Sequence, residues 1–158
     1  MKTNVRENPD KISQNLANHP FVAGLAPNYV QLLMDCATEV SFAPGEEILY
    51  EGAEANEFYL ICKGKVALGI YTAGFGFTTV QTVNPDELVG WSWLMPPHHW
   101  HFGAKAITPV QAVALDGKYL REKCEENHDF GYEILKRLSL IIGQRLRESR
   151  MEPYVSRG

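Results

Sequence analysis

The spacing of apolar residues changes near Glu39, and this change restricts the possible fold more than any other feature of the sequence. Before it, Pro27 to Thr38 carries apolar side chains three and four residues apart, which predicts a short amphipathic helix. After it, apolar and polar residues alternate in short runs, as is typical of strands. Glycine or proline separates these runs at Pro44, Gly45, Gly52, Gly64, Gly74, Gly76 and Pro85.

The clearest strand signal extends from Phe58 to Tyr71. Apolar residues alternate along one face of this segment, and Lys63 and Lys65 fall on the other. We expect the apolar face to pack inward and the other face to meet water. Gly64 predicts a bend or bulge within the strand. The apolar face consists of Phe58, Leu60, Cys62, Val66, Leu68 and Ile70.

Two further β segments follow this strand. The glycine-rich stretch 72–77 predicts a hairpin loop that leads into a strand over 78–83. Residues 105–115 predict another β region, broken at Thr108-Pro109. Short strands in this number, without helices between them, predict a jelly roll or barrel, because such closed arrangements limit exposed sheet edges.

Helices are expected to close the chain. Asp116 is a suitable N-cap for a helix that continues to about Glu126, and 127–129 predicts a break before a longer helix, which runs towards Arg150 and ends at Pro153. Apolar residues cover a wide part of the longer helix at spacings of three and four. Such a surface predicts packing against the same helix of a second chain. The expected dimer-interface residues are Leu135, Leu138, Ile142 and Leu146.

These elements divide the chain into three parts. Residues 1–26 are expected to form an N-terminal helical arm, 27–116 the β-barrel, and 117–158 the C-terminal helices that support dimerisation. With 158 residues, the chain accommodates one ordinary domain and a helical appendage. The predicted fold is mainly β: an eight-stranded jelly roll, or double-stranded β-helix, with flanking N-terminal helices and a long C-terminal helix.

Composition and charge exclude several classes of protein. An apolar share of 45% and a charged share of 22% are those of a folded domain. No apolar run approaches the roughly 20 residues that a membrane span requires, and the N-terminus lacks the apolar core of a secretion signal. We therefore expect a cytoplasmic protein without membrane contact. The net charge of −4 argues against a nucleic-acid partner.

The last predicted helix carries a cluster of basic residues. Acidic residues alternate with the basic cluster of the last predicted helix, which favours a solvated helix face. The cations of that cluster are Lys136, Arg137, Arg145, Arg147 and Arg150.

Cys36, Cys62 and Cys124 are far apart and form no Cys-x-x-Cys spacing. They predict ordinary buried thiols rather than a disulfide, a zinc site or an iron–sulfur cluster.

Three short motifs resemble the cyclic nucleotide-binding domain family. They are Pro-Gly-Glu-Glu-Ile-Leu-Tyr-Glu-Gly at 44–52, Glu-Phe-Tyr-Leu-Ile at 57–61 and Gly-Lys-Val at 64–66. The resemblance extends from about His19 to Arg150 and is closest to the bacterial catabolite-activator and fumarate-nitrate regulator branch. It implies a short helix, an eight-stranded jelly roll and terminal helices, the last of which commonly forms the dimer.

Members of that branch usually continue into a helix-turn-helix domain. Since this sequence has eight residues after Arg150, we expect it to lack such a domain and not to bind DNA directly.

The phosphate-binding cassette of the family departs from its usual form in this chain. The resemblance implies a Gly-Glu pair, whose carboxylate accepts from the ribose hydroxyl, and an arginine about ten residues later that pairs with the phosphate. Trp91 stands at the Glu position and Trp100 at the Arg position. Without these anchors, ordinary cyclic AMP binding should lose several kcal/mol. The residues expected in a remodelled ligand site are Val89, Gly90, Trp91, Ser92, Trp93, His99, Trp100 and His101.

Three tryptophans and three histidines lie between Trp91 and His101, and several interpretations of this cluster stay open. In one, the indoles stack on a small ligand, such as a nucleotide held differently, and the imidazoles hydrogen-bond to it. In another, the indoles fill the vacated pocket and leave a ligand-free dimerisation module. His99 and His101 also have the His-x-His spacing of cupin metal enzymes, although two ligands are too few for a metal. Haem ligation by one histidine is a further alternative.

No hydrolase, P-loop or dinucleotide-binding signature is present in the sequence. We therefore expect a regulatory or sensor domain in signal transduction rather than an enzyme, with a small ligand and without a metal.

Overall fold

The computed structural model describes the backbone of residues 3–5 and 9–155 and the side chains of residues 11–148. Its helices are α1 (Pro9–Asn18), α2 (Pro27–Asp35), α3 (Gly117–Glu126) and α4 (His128–Val155). Its strands are β1 (Thr3–Val5), β2 (Ala37–Phe42), β3 (Glu47–Leu49), β4 (Glu57–Lys63), β5 (Val66–Thr72), β6 (Gly76–Val83), β7 (Leu88–Val89), β8 (Gly103–Ala106) and β9 (Val110–Asp116). No helix among these residues is long and apolar enough to cross a bilayer.

The strands form two antiparallel sheets around one hydrophobic core. The order of the first sheet is β1-β2-β9-β4-β7, and that of the second is β3-β8-β5-β6. Strands that are distant in the sequence are therefore neighbours, and the predicted mainly-β jelly roll of eight strands, β2 to β9, is confirmed. An additional edge strand, β1, pairs with β2 through Thr3 and Ser41. The sequence pattern predicted only helix in this N-terminal arm.

The central strands β4 and β9 are buried on both faces. Phe58, Tyr59, Leu60 and Ile61 are all buried, although only alternate residues were expected to face inward. The reason is that α1 contacts the first sheet at β2 and β9, while α3 contacts it at β4. Helices thus cover the outer face, and a sheet covered on both sides has continuous apolar strands.

The segment 58–71, predicted as one bent strand, is two strands in different sheets. β4 belongs to the first sheet and β5 to the second, and the chain crosses between them at Gly64. This glycine has φ +94°, and a Cβ placed there would lie 2.2 Å from the carbonyl oxygen of Pro109. Only glycine tolerates both the left-handed backbone and this close approach. The sequence correctly predicted that the strand is interrupted at Gly64. The interruption is a crossing from one sheet to the other, which is a larger change than the bend or bulge expected there.

The C-terminal helices begin where their capping residues predict. Asp116 Oδ1 accepts a hydrogen bond from the backbone N–H of Tyr119 at 3.0 Å, and Asn127 Oδ1 accepts from that of Phe130 at 3.1 Å. These bonds satisfy N–H groups that have no partner within the helix. α4 continues two residues beyond the predicted end at Pro153, to Val155, which is within the ordinary uncertainty of a helix boundary.

All three cysteines are free thiols, but only one of them is buried as the sequence predicts. Cys124 is buried, whereas Cys36 and Cys62 are half-buried. Burial raises the pKa of Cys36 to about 12, so its unreactive thiol form dominates near neutral pH.

The segment after α1 connects the N-terminal arm to β7 and α4. His19 is buried, and its Nδ1 accepts from the backbone N–H of Phe21 at 3.2 Å. Its Nε2 therefore carries the proton and donates to the carbonyl oxygen of Glu87 at 3.1 Å. Arg137 of α4 donates to the carbonyl oxygens of Phe21 and Ala23 at 2.7 and 2.9 Å. One short segment thus ties three elements together.

Burial lowers the pKa of His19 below its ordinary value of 6.5. The unfolded chain consequently binds a proton at a higher pH than the folded chain does. We expect the free energy of unfolding to be highest above about pH 6.5 and to fall as the pH drops below it, by at most about 1.4 kcal/mol per pH unit for this one proton. Urea unfolding across this pH range measures the effect.

His19→Gln should flatten this pH dependence, whereas His128→Gln, at an exposed position, should leave it unchanged. Equal pH dependence in the wild type and His19→Gln would contradict the assignment.

Candidate ligand site

The loop between β7 and β8 carries most of the residues predicted to bind a ligand. Its second half is held against the turn that precedes β4 by backbone hydrogen bonds. Ala55 N donates to His98 O at 2.7 Å, and Trp100 exchanges bonds with Gly52 and Ala53 at 2.8 and 3.0 Å. The position of Trp100 is therefore set by backbone pairing as well as by its side chain.

The Trp100 ring lies directly on the backbone of Gly90. A Cβ at Gly90 would be 2.6 Å from Trp100 Cη2, and Gly90 has φ +96°. The indole therefore occupies space that any larger residue at position 90 would need. Trp100 is 7% exposed, so it contributes to the core as well as to the loop.

Trp93 belongs to the core rather than to a ligand site. It is fully buried, and its ring stacks on Phe58 with centroids 4.5 Å apart and planes 5° apart. Gly117, at the start of α3, makes room for it, because a Cβ there would lie 2.8 Å from Trp93 Cβ. None of the described residues forms a hydrogen bond with the indole Nε1, and the Trp93 carbonyl accepts from Arg121. We therefore expect substitution of Trp93 by a smaller residue to lower the free energy of unfolding.

The cavity at the cassette is very small. Its volume is about 20 Å³, which is enough for about one water molecule. Among the residues that the structure describes, no carboxylate contributes to its lining, and Arg145 contributes a cation. The lining residues are Leu49, Leu68, Gly90, Trp91, Ser92, Trp100, His101, Phe102 and Arg145.

A larger cavity lies beside it, between the second sheet and α4. Its volume is about 450 Å³, within the range of about 300–1,000 Å³ that is usual for small-molecule sites. Leu68, Trp91, Phe102 and Arg145 line both cavities, so these four side chains lie between the small cavity and the larger one. The other lining residues are Val80, Gln81, Ile142 and Leu146.

Hydrogen bonds of Arg145 hold α4 against the barrel beside these cavities. Its guanidinium donates to the carbonyl oxygen of Leu88, and its own carbonyl oxygen accepts from Gln81 Nε2 at 2.8 Å. Burial lowers the pKa of Arg145, while the charges of Glu87 and Glu148 oppose this shift. A guanidinium whose ordinary pKa is above 12 remains a cation here.

The interpretation of the basic cluster as a solvated helix face is wrong for two of its members. Arg137 donates to backbone carbonyls of the N-terminal arm and Arg145 to the Leu88 carbonyl of the barrel, whereas Lys136 and Arg147 are exposed. The side chain of Arg150 lies outside the described residues. A sequence signal for Arg145 exists, because it continues the spacing of an inward-facing stripe, in which Ile134 and Leu138 are buried and Ile141 is half-buried. A charged residue in such a stripe indicates a specific contact.

The predicted ligand residues thus divide into two groups. Gly90, Trp91, Ser92, Trp100 and His101 line the cassette cavity. Val89 and Trp93 are buried in the core, and His99 is exposed; none of these three lines either cavity. The lining residues that the sequence did not indicate are Leu49, Leu68, Phe102 and Arg145.

The histidines of the loop do not converge. His98 is half-buried, while His99 and His101 are exposed. Among the residues that the structure describes, no group of three or more His, Cys, Asp or Glu side chains is arranged to hold a metal ion.

The predicted dimer residues occupy different environments on α4. Leu138 is fully buried within the protomer, whereas Leu135 and Leu146 are 47% and 62% exposed. Ile142 is half-buried and lines the larger cavity. Leu138 is therefore committed to the core of its own chain, and the exposed leucines remain available for a partner.

Comparison with known sequences identifies related proteins. The model of the cyclic nucleotide-binding domain family matches residues 39–127. The CRP-like cAMP-activated global transcriptional regulator of Mycobacterium tuberculosis is 24% identical over 134 residues, and the cyclic AMP receptor protein of Thermus thermophilus is 28% identical over 140. The matches cover 85% and 84% of this chain, but 58% and 60% of those proteins. The chain therefore spans less than two thirds of their length.

Solved structures have the same fold. A proposed cyclic nucleotide-binding protein of Geobacter metallireducens matches with a TM-score of 0.76 and 27% identity, over 88% of this chain and 98% of its own. The Thermus thermophilus catabolite activator protein matches with a TM-score of 0.65 and 25% identity, over 86% of this chain and 62% of its own. A cyclic nucleotide-binding domain of Methylobacillus flagellatus, 16% identical, has a TM-score of 0.76 over 99% of this chain and 89% of its own. The last match supports the fold alone.

The contact between Gly90 and Trp100 makes a direct prediction. Gly90→Ala should destabilise the protein by about 1–3 kcal/mol more than Gly74→Ala, because the added methyl overlaps the indole. Gly74 is a matched control, since it has φ +83° but a methyl group added there would meet no atom within 4 Å. Chemical denaturation measures both changes. Equal losses would mean that Trp100 moves aside freely and is not tightly packed.

Proposed function

This chain belongs to the cyclic nucleotide-binding domain family, and we propose that it is a regulatory domain that binds a small ligand between its remodelled cassette and α4. The family membership confirms the resemblance inferred from the motifs at 44–66. The Mycobacterium tuberculosis relative is named a transcriptional regulator and the Thermus thermophilus relative a cyclic AMP receptor protein, which supports a regulatory role rather than an enzymatic one.

The observation that carries this proposal is the sharing of side chains between two cavities. Trp91, Phe102, Leu68 and Arg145 line both the small cassette cavity and the cavity of about 450 Å³. A ligand in the larger cavity would contact the cassette loop and α4 at once. This arrangement suits a sensor, since a ligand changes a conformational equilibrium only by contacting the two states differently.

Cyclic AMP itself is a poor fit for this site. The relatives from Mycobacterium and Thermus are named for cyclic AMP, but no carboxylate within the described part of this chain lines the cassette cavity. A ribose hydroxyl would therefore lose its usual acceptor. Arg145 approaches from α4, not from the cassette, and Trp100 fills space against Gly90. We propose that the ligand is another small molecule.

The contacts of Arg145 provide a route from the ligand to α4. The helix is held to the barrel by the bond from Arg145 to the Leu88 carbonyl and by the bond from Gln81 to the Arg145 carbonyl. A ligand that engages Arg145 would compete with the first bond or strengthen it. Either change alters the position in which α4 is most stable.

A ligand-free interaction module is the second candidate. The volume of about 20 Å³ at the cassette and the contact of Trp100 with Gly90 favour it. In that case Trp91 and Trp100 would act only in packing, and α4 would carry the function.

Dimerisation through α4 is the proposed means of transmitting the signal. One stripe along α4 consists of Leu135, Ile142 and Leu146. These residues are seven and four positions apart, with Ser139 between the first two, and therefore lie on the same side of the helix. The stripe lies outside the buried face that includes Leu138. A second copy of α4 would cover these exposed leucines, as expected for a symmetric dimer.

Ligand binding can be tested by thermal unfolding in the presence of a panel of cyclic mononucleotides, cyclic dinucleotides and haem. At 100 times its dissociation constant, a ligand of this site should add about 2.7 kcal/mol to stability. Val80→Trp should abolish the effect by filling the larger cavity, whereas Thr79→Trp, at the neighbouring exposed position, should preserve it. Strong stabilisation by cyclic AMP that survives Val80→Trp would contradict the proposed site.

Dimerisation can be tested by sedimentation equilibrium. Leu135→Glu combined with Leu146→Glu should convert the dimer to monomer, since both charges would be buried in the interface. Leu140→Glu is the control, because Leu140 is 70% exposed but lies off the stripe. A wild-type monomer, or dissociation by Leu140→Glu alone, would argue against this interface.

A further inference from the structure

We propose that the cavity between Trp91 and α4 takes an apolar organic anion whose charged group pairs with Arg145. This inference rests on the proposed function and adds the chemical class of the ligand. The occupant would have a ring or short hydrocarbon body and one carboxylate or a comparable anionic group.

The walls of the cavity are apolar apart from two side chains. Gln81 and Arg145 are the polar groups of its lining, and Gln81 Nε2 already donates to the Arg145 carbonyl at 2.8 Å. The remaining wall residues are Leu68, Val80, Trp91, Phe102, Ile142 and Leu146. A body without hydrogen-bonding groups fits such walls, because any polar group placed against them would lose its bonds to water.

Arg145 supplies one positive charge that no carboxylate of the cavity lining balances. Its described hydrogen bond goes to a neutral acceptor, the Leu88 carbonyl. Among the described residues it forms no ion pair; Glu87 and Glu148 act on it only at longer range. A guanidinium has five N–H donors, so donors remain for a ligand. An anion would satisfy them with charge-assisted bonds.

The same features disfavour a nucleotide in this cavity. A sugar and a base carry several hydroxyl, amino and carbonyl groups, and a site that leaves such groups unpaired rejects them strongly. One cation among apolar walls instead selects a ligand with one charged end. Trp91 and Phe102 also offer aromatic faces, against which a flat ring can pack.

The experiment uses the full chain and two probes of nearly the same shape, 1-naphthylacetate and its neutral amide. Isothermal titration calorimetry on the wild-type protein should show that the carboxylate binds at least about tenfold more tightly than the amide, as expected for a charged hydrogen bond in a partly dry site. This comparison needs no variant, so it holds even if changes at Arg145 weaken the fold.

Two variants then locate the charge. Arg145→Gln should remove the preference for the carboxylate, with the amide binding as before. Arg147→Gln is the matched control, because this arginine lies on the same helix but is exposed and outside the cavity lining. The Arg147→Gln variant should still bind the carboxylate more tightly than the amide, at low and at high salt.

Each result distinguishes this inference from the proposal on which it rests. Equal binding of both probes, blocked by Val80→Trp, would overturn the requirement for an anion but leave the ligand site in place. Failure of both probes to bind, while a member of the nucleotide or haem panel stabilises the protein through this cavity, would also overturn the inference alone. Loss of every ligand effect, with the protein dimeric through Leu135 and Leu146, would overturn both.

Discussion

The attachment of α4 to the barrel through Arg145 is the interaction on which the rest of the arrangement depends. Ile134, Leu138 and the half-buried Ile141 pack α4 against the rest of the protein. Arg145 is the next residue of this stripe, and its guanidinium donates to the Leu88 carbonyl. This contact lies where the two cavities meet, so Arg145 connects the candidate ligand site to α4. Under the proposed function, ligand binding and dimerisation would both involve this helix, so that a change at one site would alter the other.

Much of the fold could be predicted from the sequence, because its elements are specified locally. The cap Asp116 and the breaks at 127–129 and at Thr108-Pro109 correspond to observed boundaries, and the change of period at Glu39 lies two residues inside β2. The single strand over 58–71 was a wrong prediction for a physical reason. Periodicity describes which way side chains face, but it does not say when a chain leaves one sheet for another, and the crossing at Gly64 depends on the distant carbonyl of Pro109.

The candidate site was less predictable, because its composition depends on contacts between distant segments. The loop residues Gly90, Trp91 and Trp100 were found from the position of the cassette, and they do line the cavity. Trp93 was grouped with them by proximity in sequence, although its ring stacks on Phe58 in the core. Arg145 was missed because a basic residue among glutamates on a helix ordinarily faces water.

The unequal burial of the three tryptophans gives the protein a built-in optical reporter. Trp93 and Trp100 are shielded by the core, but Trp91 is half-buried at the boundary of both cavities. Collisional quenchers such as acrylamide will reach its excited state far more readily than that of the other two. The quenchable fraction of the emission therefore follows the environment of a single indole, and binding can be observed without any attached dye.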